Sequence, residues 1–409
     1  MIKTYKICDI IDSYISGDWG NDCTTDDTPH PVYCVRGADI VPTSNSQFND
    51  IPLRYVSKRS FQTRCLQEGD IIIEKSGGSP TQSTGRMVYV SKELLSAKKN
   101  IVCSNFCTAF RVKEGWNAHY VFLYLQNVYN SGVFFNFEGK TSGLKNLMMD
   151  AAFKSIPIKK IPIAKQTDLA DSISAIDKKL SLNRQTNDNL EAMAKQLYDY
   201  WFVQFDFPNE EGKPYKASGG AMVWNEKLKR EIPKGWNTVG IGDILDKYPA
   251  TKRYETKEYL PQGKYPIIDQ GDSYIVGFTN ERENLLVRHP AVLFGDHSTK
   301  VKFLDFDFAR GADGTQILYS SIPEVSQYHL YLALKSMSIP NPGYSRHFKY
   351  LKEMPIITPN IDVAIAFSEI VTPLYKQWTN NVFGNIELTK QRDELLPLLM
   401  NGQATVNSD

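Results

Sequence analysis

The chain has 409 residues, of which 42% are hydrophobic and 23% are charged, and its formal net charge is +1. This is ordinary globular composition, sufficient for two or three domains, and it argues against a protein that binds nucleic acid through its overall charge. No apolar run approaches the 18 residues of a membrane span, and the N-terminus lacks the apolar region of a signal peptide, so we expect a soluble, cytoplasmic protein.

The first globular segment, residues 1–155, has the pattern of short strands. Strands are predicted at residues 32–36, 70–74, 87–90 and 101–112, and an amphipathic helix at 119–129. All six cysteines lie in this segment. Cys103 and Cys107 have the spacing of two zinc ligands, but no second close pair completes a site, and buried thiols in a reducing compartment are the better interpretation.

Two polar, glycine-bearing loops with lysines, at residues 74–80 and 139–146, stand out in this segment. Such loops let backbone amides and short side chains approach phosphates closely, although an ordinary surface turn has the same composition. The candidate DNA-binding residues of the first segment are Lys75, Ser76, Gly77, Gly78, Ser79, Gln82, Arg86, Thr141, Ser142, Lys145 and Asn146.

Residues 164–202 form the longest uninterrupted helical pattern. Apolar residues and two asparagines recur at an average spacing close to the 3.5 residues of a coiled coil, and neither Pro nor Gly interrupts them. At 1.5 Å per residue such a helix is roughly 58 Å long, which suits a spacer. The predicted helix-pairing residues are Leu169, Ile173, Ile176, Leu180, Asn183, Asn187, Leu190 and Leu197.

A stretch rich in Pro and Gly, residues 205–231, is predicted to be a linker. Its Glu211-Gly212-Lys213 resembles the end of a nuclease motif, but it lacks the strand and the upstream Asp of such a site. The second globular segment, residues 232–355, again has short predicted strands, at 265–269, 291–295, 300–306 and 315–319, and a short helix at 327–335.

The loops of the second segment interleave donors, acceptors and aromatic residues. Arg and His are suited to reading guanine, and Asp, Asn or Gln to reading other base edges, while hydrated loops without a ligand are the alternative. The candidate DNA-binding residues here are Asp296, His297, Thr299, Lys300, Asp313, Tyr344, Ser345, Arg346, His347 and Lys349.

No catalytic or metal site is predicted. Asn341-Pro342-Gly343-Tyr344 is similar to the Asn-Pro-Pro-Tyr motif of DNA amino-methyltransferases, but its third residue differs and no glycine-rich cofactor loop precedes it, so a turn is the better interpretation. Phosphate-binding loops, zinc-hydrolase motifs and serine-hydrolase elbows are absent from the sequence.

The C-terminal segment, residues 356–409, repeats the first helix at an offset of 198 residues. Apolar residues fall on apolar residues, and Asn183 and Asn187 fall on Asn381 and Asn385, which is harder to obtain by chance. A buried seam Asn fixes the register of paired helices at some cost in stability. The pairing residues predicted here are Phe367, Leu374, Trp378, Asn381, Leu388 and Leu395.

This internal repeat predicts an α+β fold. Two strand-rich, mixed α/β heads are separated by two long antiparallel helices that form a coiled coil, with an approximate pseudo-two-fold relation. Pro373 is expected to kink or weaken the second helix.

Several stretches together resemble specificity (S) subunits of type I restriction-modification systems, over essentially the whole chain. The matching stretches are Ile161-Pro162-Ile163-Ala164-Lys165-Gln166, Leu190-Glu191-Ala192-Met193-Ala194, Trp201-Phe202-Val203-Gln204-Phe205-Asp206, Ile232-Pro233-Lys234-Gly235-Trp236 and Leu388-Thr389-Lys390-Gln391-Arg392. Thr358-Pro359-Asn360 and Pro373 depart from the family pattern, so the start of the second helix is open.

The resemblance implies a non-catalytic subunit with target-recognition domains at 1–155 and 232–355, a first central helix at 156–204 and a second helix at 356–409. Each domain would read half of a bipartite double-stranded DNA target, while the helices set the gap and dock two methyltransferase (M) subunits. Restriction (R) subunits would then join. The resemblance implies no cofactor in this chain, because S-adenosylmethionine, ATP and magnesium would be bound by the partners. A structural adaptor that bridges two proteins and has peptide-binding heads is the alternative.

Overall fold

The computed structural model describes residues 3–79, 82–141, 144–248, 251–311, 313–339 and 346–404. The chain divides into two compact units. The first comprises Met1–Leu182 and Asn385–Asp409, and the second comprises Asn183–Gly384. The predicted domains treated each long helix as a separate segment, whereas here each long helix contributes one part to each unit.

The first unit contains twelve described strands and six short helices before the first long helix. The strands are β1 Thr4–Lys6, β2 Ile11–Ser16, β3 His30–Val35, β4 Leu53–Val56, β5 Ile71–Glu74, β6 Ser76–Gly77, β7 Met87–Tyr89, β8 Ile101–Cys103, β9 Cys107–Val112, β10 Glu138–Thr141, β11 Leu144–Leu147 and β12 Pro157–Lys159. The helices are α1 Ile7–Ile10, α2 Ile40–Ser44, α3 Lys58–Arg64, α4 Lys92–Ala97, α5 Ala118–Asn130, α6 Met149–Ser155 and the long α7 Ile163–Tyr198.

These strands form four small sheets. An antiparallel sheet has the order β2-β9-β5-β7, a mixed sheet the order β4-β3-β8, and a third the order β10-β11-β6, while β1 pairs with β12. Strand β5 is the centre of the unit because all its side chains are buried. Ile71 and Ile73 face a core that includes α5 and α6, and Ile72 faces a second core. Successive side chains of a strand point to opposite faces, so the three isoleucines of β5 contribute to two different cores.

The second unit contains twelve more described strands and three helices. The strands are β13 Met222–Asn225, β14 Arg230–Pro233, β15 Asn237–Gly240, β16 Arg253–Tyr254, β17 Tyr265–Ile268, β18 Gly277–Thr279, β19 Leu285–Leu286, β20 Ala291–Gly295, β21 Val301–Leu304, β22 Phe308–Gly311, β23 Thr315–Leu318 and β24 Pro355–Thr358. The helices are α8 Gln327–Ser336, α9 Phe348–Glu353 and the long α10 Ile361–Asn401.

Strand β20 has the central position in the second unit. It lies between β21 and β23 in an antiparallel sheet, next to a five-stranded sheet with the path β16-β22-β17-β18 and β19 paired to β22. Val292 and Phe294 face the core that contains α8, and Ala291 and Leu293 face a second core. Both units therefore place a strand buried on both faces between two cores.

The two units share one arrangement next to their long helices. In the first unit β1 pairs antiparallel with β12, so that Lys6 lies opposite Pro157, and α7 follows β12. In the second unit β15 pairs antiparallel with β24, so that Gly240 lies opposite Pro355, and α10 follows β24. Pro157 and Pro355 are 198 residues apart, the offset of the sequence repeat.

Most predicted elements coincide with observed ones within two residues, and the exceptions have local causes. The strand predicted at 101–112 is two strands, because a turn at Asn105 and Phe106 separates β8 from β9. The stretch predicted to be a linker forms the β13-β14 hairpin, and its Phe205 and Phe207 are buried in the core. Helix α10 continues through Pro373, which lies on its exposed side.

Within each unit, α7 and α10 contact each other. In the first unit Leu169 and Ile173 share a core with Leu396 and Leu399, and Arg392 Nη1 lies 3.2 Å from Asp177 Oδ1. In the second unit Asn381 Nδ2 donates to Asn187 Oδ1 at 2.8 Å. In each unit, residues that come later in α7 contact residues that come earlier in α10. The two helices therefore run antiparallel within each unit.

The predicted pairing residues differ in burial. Seven are buried: Leu169, Ile173, Leu180, Asn183, Asn187, Phe367 and Asn381. Six are half-buried: Ile176, Leu190, Leu197, Leu374, Trp378 and Leu388. Leu395 differs from the expectation, because it is 38% exposed and Leu396 and Leu399 are the buried residues of that turn. Among the described residues, no helix has both the length and the hydropathy needed to cross a membrane.

Candidate nucleic-acid interface

In the first unit the two predicted loops are brought together by one sheet. Strands β10, β11 and β6 place residues 138–141 and 144–147 beside residues 76–77, with Lys145 opposite Gly77 and Asn146 opposite Ser76. Ser76 Oγ donates to Asn146 Oδ1. We refer to residues 74–79, 82–86, 138–141 and 144–147 as the hairpin surface.

A buried ion pair supports the hairpin surface from below. Arg86 donates from Nε and Nη2 to the carboxylate of Glu74, with distances of 2.9 and 2.5 Å, and the Glu74 side chain is only 2% exposed. The hydrogen bonds from Arg86 to Glu74 raise the pKa of Arg86. Arg86 was predicted to contact DNA, but its guanidinium is used inside the protein.

Gly77 is required at this position. Its φ is +150°, and a Cβ there would lie 2.4 Å from Glu74 Oε1. Any larger residue would displace the buried carboxylate or the strand, so the glycine permits the close approach of β6 to the ion pair.

Lys145 is also held by the protein. Its Nζ lies 2.9 Å from Glu138 Oε2 and 5.2 Å from the centre of the Phe135 ring. Burial acts to raise the pKa of Glu138, but hydrogen bonds from Lys145 and from the Thr84 amide and hydroxyl outweigh it and hold this pKa below its usual value. The Lys145 charge is therefore partly neutralised at the surface.

The other predicted residues of this unit lie in turns around β6. The Ser79 amide donates to Gln82 O at 2.9 Å, and Gln82 is exposed. Lys75 is half-buried, and its backbone amide donates to Phe106 O. Gly78 has φ +76°. Thr141 ends β10, and Ser142 lies outside the described residues.

In the second unit the predicted loops converge on Gln270, a residue that the sequence did not single out. Gln270 Oε1 accepts from the His297 amide at 3.0 Å, and Gln270 Nε2 donates to Asp313 O at 2.7 Å. Ser298 Oγ donates to Gln270 O at 2.7 Å. We refer to Gln270, residues 296–300, 313–314 and 346–349 as the loop cluster. The polar, glycine-bearing stretch 269–272 directly after a strand was the available signal for Gln270.

Two predicted base-reading residues of the loop cluster are buried. Asp296 is 4% exposed and His347 is 1% exposed. Asp296 O accepts from the His347 amide at 2.9 Å and contacts His347 Nδ1 at 2.8 Å, and Asp296 Oδ1 accepts from the Phe348 amide at 2.8 Å. Their side chains join the loop at 296 to the start of α9, so they differ from the expected base contacts.

A glycine allows the loops to approach closely. Gly314 has φ +82°, and a Cβ there would lie 2.6 Å from Gln270 Nε2 and 2.7 Å from His297 Cδ2.

A lysine holds the backbone on either side of Gln270. Lys302 Nζ donates to Asp269 O at 2.7 Å and to Ser273 O at 2.6 Å. Burial lowers the pKa of Lys302 to about 8. The backbone that carries Gln270 is thus braced on two sides.

The exposed charges of the loop cluster have different partners. Lys300 lies 2.6 Å from Asp272, and Asp313 lies 2.9 Å from Arg253, and all four side chains are at least half exposed. Arg346 and Lys349 are exposed, and neither pairs with an acidic side chain of the described part of the chain. His297 is exposed, and Thr299, with φ +56°, is half-buried. Tyr344 and Ser345, like the rest of Asn341-Pro342-Gly343-Tyr344, lie outside the described residues.

The described residues show no group of three or more His, Cys, Asp or Glu side chains arranged to hold a metal ion. Cys103 and Cys107 are buried, and burial raises the pKa of both thiols. Lys213 and Glu211 form an exposed ion pair in a turn. Together, the two sites expose amide, imidazole, guanidinium and ammonium groups on a backbone that is held by hydrogen bonds. Such groups can recognise a ligand by hydrogen bonding and charge.

Comparison with solved structures gives the class of fold. The S subunit of a type I restriction-modification system from M. genitalium has a similar structure, with a TM-score of 0.57 over 100% of this chain and 97% of that one, at 14% sequence identity. The structure is therefore that of an S-subunit fold.

Sequence comparison gives the family. Residues 43–192 and 233–388 match the type I restriction modification DNA specificity domain. This chain belongs to that family, and it contains the domain twice.

Two curated relatives are specificity subunits. The sequence is 26% identical over 268 residues to the type I restriction enzyme MjaIX specificity subunit of Methanocaldococcus jannaschii, a match over 59% of each chain. It is 23% identical over 470 aligned positions to the type I restriction enzyme HindI specificity subunit of Haemophilus influenzae, covering 92% of this chain and 94% of that one. The chain thus spans less than two thirds of the first relative and nearly all of the second.

Proposed function

We propose that this chain is the non-catalytic DNA-recognition subunit of a type I restriction-modification complex, and that its two specificity domains each read one half of a bipartite target. The observation that carries the proposal is the double match of one DNA specificity domain, at residues 43–192 and 233–388. Two copies of a reading domain with different loops suit a target with two different halves.

The exposed groups of the two sites differ, which suits two half-sites of different base sequence. The hairpin surface presents Gln82 and polar turns beside an ion-paired Lys145, whereas the loop cluster presents His297, Arg346 and Lys349. Guanidinium groups read guanine, and side-chain amides read adenine. The two surfaces therefore have the chemistry for different base preferences.

The paired helices are proposed to set the gap between the half-sites as an antiparallel coiled coil with approximate two-fold symmetry. Support comes from the repeat at an offset of 198 residues, the Asn187–Asn381 hydrogen bond and the antiparallel contacts within each unit. A helix rod of roughly 58 Å corresponds to at most about 17 base pairs at 3.4 Å each.

Partners complete the proposed activity. The helices would dock two methyltransferase subunits, and restriction subunits would join them. S-adenosylmethionine, ATP and magnesium would be bound by those partners, so this chain would need no cofactor. The adaptor alternative finds no support in the family match, which is to a DNA specificity domain.

The proposal is tested by mapping methylated bases genome-wide in cells that express this chain with its methyltransferase partner. One asymmetric, gapped motif is expected. Arg346→Ala should weaken or relax the specificity for one half-site only, while Lys227→Ala, at an exposed lysine of the β13-β14 turn, should leave the motif unchanged. A continuous motif, or methylation by this chain alone with S-adenosylmethionine, would refute the proposal.

A further inference from the structure

The turn between β8 and β9 exposes an amide and an aromatic ring next to the hairpin surface. Phe106 is 57% exposed and Asn105 is exposed, although the residues on either side, Ser104 and Cys107, are buried. Turn positions favour small polar residues, which accounts for Asn105 but not for Phe106. The Asn105 side chain has no hydrogen-bond partner among the residues that the structure describes.

The turn is held rigidly. Cys107 N donates to Ser104 O, and Ser104 N donates to Val35 O, both at 2.9 Å. Behind the turn, a Cβ on Gly17 would lie 1.9 Å from Ser104 O, so the backbone of the two segments is in direct contact. Strand β8 and the first four residues of β9, which flank the turn, are buried. The two exposed side chains therefore project from a backbone with little freedom to move.

The turn is continuous with the hairpin surface. Phe106 O accepts hydrogen bonds from the amides of Lys75 at 2.8 Å and Ser76 at 3.1 Å. Strand β6, which contains Ser76, pairs on its other side with β11. The turn is thus attached to the edge of the sheet that carries the candidate DNA-binding residues of the first unit.

In the major groove an A·T pair presents the N7 acceptor and N6 donor of adenine and the C5-methyl group of thymine. An Asn amide can pair with both adenine groups, and a phenyl ring packs on the thymine methyl. A preorganised pair of such side chains loses little conformational freedom on binding.

We propose that Asn105 and Phe106 form an A·T-reading element of the first specificity domain, in which Asn105 bonds an adenine and Phe106 packs on the methyl of a thymine in the same or the neighbouring base pair. This inference rests on the proposed function, because it requires that the first unit read DNA. It adds two specificity-determining residues that the polar loops alone did not indicate.

The test uses the full chain with its methyltransferase partner and the duplex that the wild-type complex methylates. Each thymine of the first half-site is replaced in turn by deoxyuridine, which lacks the methyl, and each adenine by 7-deazaadenine, which lacks N7. For the wild type, one deoxyuridine should weaken binding about fourfold, the value of one buried methyl group, and one 7-deazaadenine about tenfold.

Phe106→Ala should bind the unmodified duplex more weakly and be indifferent to that deoxyuridine while remaining sensitive to the 7-deazaadenine, and Asn105→Ala should show the reverse. Tyr14→Ala, at an aromatic residue of the same unit that is 47% exposed, is the matched control and should keep the wild-type pattern.

Four results are decisive. Selective loss of one sensitivity in each variant supports the inference. If both variants keep the wild-type sensitivity to every deoxyuridine and every 7-deazaadenine, the inference is overturned. In that case gapped recognition by the wild type still supports the proposed function. A wild-type complex that is insensitive to every deoxyuridine and every 7-deazaadenine overturns this inference alone, whereas one that binds an unrelated duplex as tightly as its target overturns the proposed function as well.

Discussion

The Glu74–Arg86 pair shows how a charged residue next to an interface can be committed to the fold. Glu74 is the last residue of a strand with every side chain buried, and Arg86 is the nearest cation that meets it in a two-point geometry. Removing one member of a buried pair leaves an uncompensated charge in a low-dielectric surrounding. The pair therefore stabilises the base of the hairpin surface only while both members are present.

Arg86→Leu should lower the free energy of unfolding by about 3–5 kcal/mol, because Glu74 would lose its counter-ion while remaining buried. The double variant Glu74→Leu, Arg86→Leu should recover most of this loss. Urea denaturation of both variants measures the effect, and Lys229→Leu, which removes one member of an exposed pair, is the control for loss of a surface charge and should show no measurable change. A single variant as stable as the wild type would contradict the assignment.

His329 is the second residue with a clear energetic role. It is 1% exposed, and its ring centre lies 4.3 Å from Phe202 and 5.5 Å from Tyr198. Burial in these aromatic surroundings lowers the pKa of His329 to about 3, against about 6.5 in an unfolded chain. Between these values the unfolded chain binds a proton that the folded protein excludes.

The free energy of unfolding should therefore be unaffected by His329 above about pH 6.5 and fall as pH decreases below that value, by up to about 1.4 kcal/mol per pH unit. His329→Leu should lose stability less steeply than the wild type between pH 6.5 and 4 in urea denaturation. His119, whose pKa burial lowers to about 4, remains in both proteins and cancels in the comparison. Parallel curves for the two proteins would exclude the role of His329.

At the scale of an element, the seam of the long helices in the second unit is fixed by amides as well as by apolar packing. Asn187 Nδ2 donates to Trp378 O at 3.1 Å, and Asn187 Oδ1 accepts from Asn381 Nδ2. Gln377 Nε2 donates to Asn381 Oδ1 at 2.9 Å. A buried amide pair of this kind selects one register, because a slip would bury both amides without partners.

Asn187→Leu should destabilise the protein by about 1–3 kcal/mol, the cost of leaving the Asn381 amide and a backbone carbonyl unsatisfied. Asn187→Leu with Asn381→Leu should be close to the wild type in stability or above it, since an apolar pair fits the seam. The four corners of this double-mutant cycle are measured by chemical denaturation. Additive losses in the double variant would show that the two amides do not act as a pair.

At the scale of the whole molecule, each long helix runs through the boundary at which the chain divides into units, after Leu182 in α7 and after Gly384 in α10. These two places are close together, because a Cβ on Gly384 would lie 3.8 Å from Asn183 Nδ2. Seven residues, two turns of a coiled coil, can be inserted in both helices there without changing which faces meet.

If the helices set the gap, inserting one heptad after Leu182 and one after Gly384 should lengthen the gap of the DNA target by about three base pairs, because seven helical residues add about 10 Å. Both half-sites should stay the same in the methylation map. An insertion in α7 alone is the control and should abolish methylation by disturbing the pairing. Changed half-sites with an unchanged gap would show that the helices are not the spacer.

Local sequence patterns were sufficient for many elements of this protein. The apolar runs at residues 71–73 and 291–294 predicted two strands, which the structure shows to be buried on both faces. The 3.5-residue spacing and the repeated asparagines marked the long helices. These signals are readable because backbone geometry alone sets the periods of strands and helices.

Other features depended on contacts between distant segments. Phe205 and Phe207 lie in a Pro/Gly-rich stretch, yet both are in the core, where Phe207 stacks on Trp236 and Phe205 contacts the same ring edge to face. Arg86 was equally suitable for DNA contact or for Glu74, and the only local signal for Gln270 was its place in a polar, glycine-bearing stretch after a strand. Only the positions of their partners decided these roles.

The sequence by itself determined the family, the internal repeat and the order of the main elements. Periodic apolar patterns indicate the elements, and matching residues 198 positions apart indicate the repeat. The tertiary structure decided which loops meet, which polar side chains are buried as supports and which remain at the surface. The reason is that burial and pairing depend on residues far apart in the chain, such as Gln270 and Asp313 or Ser76 and Asn146.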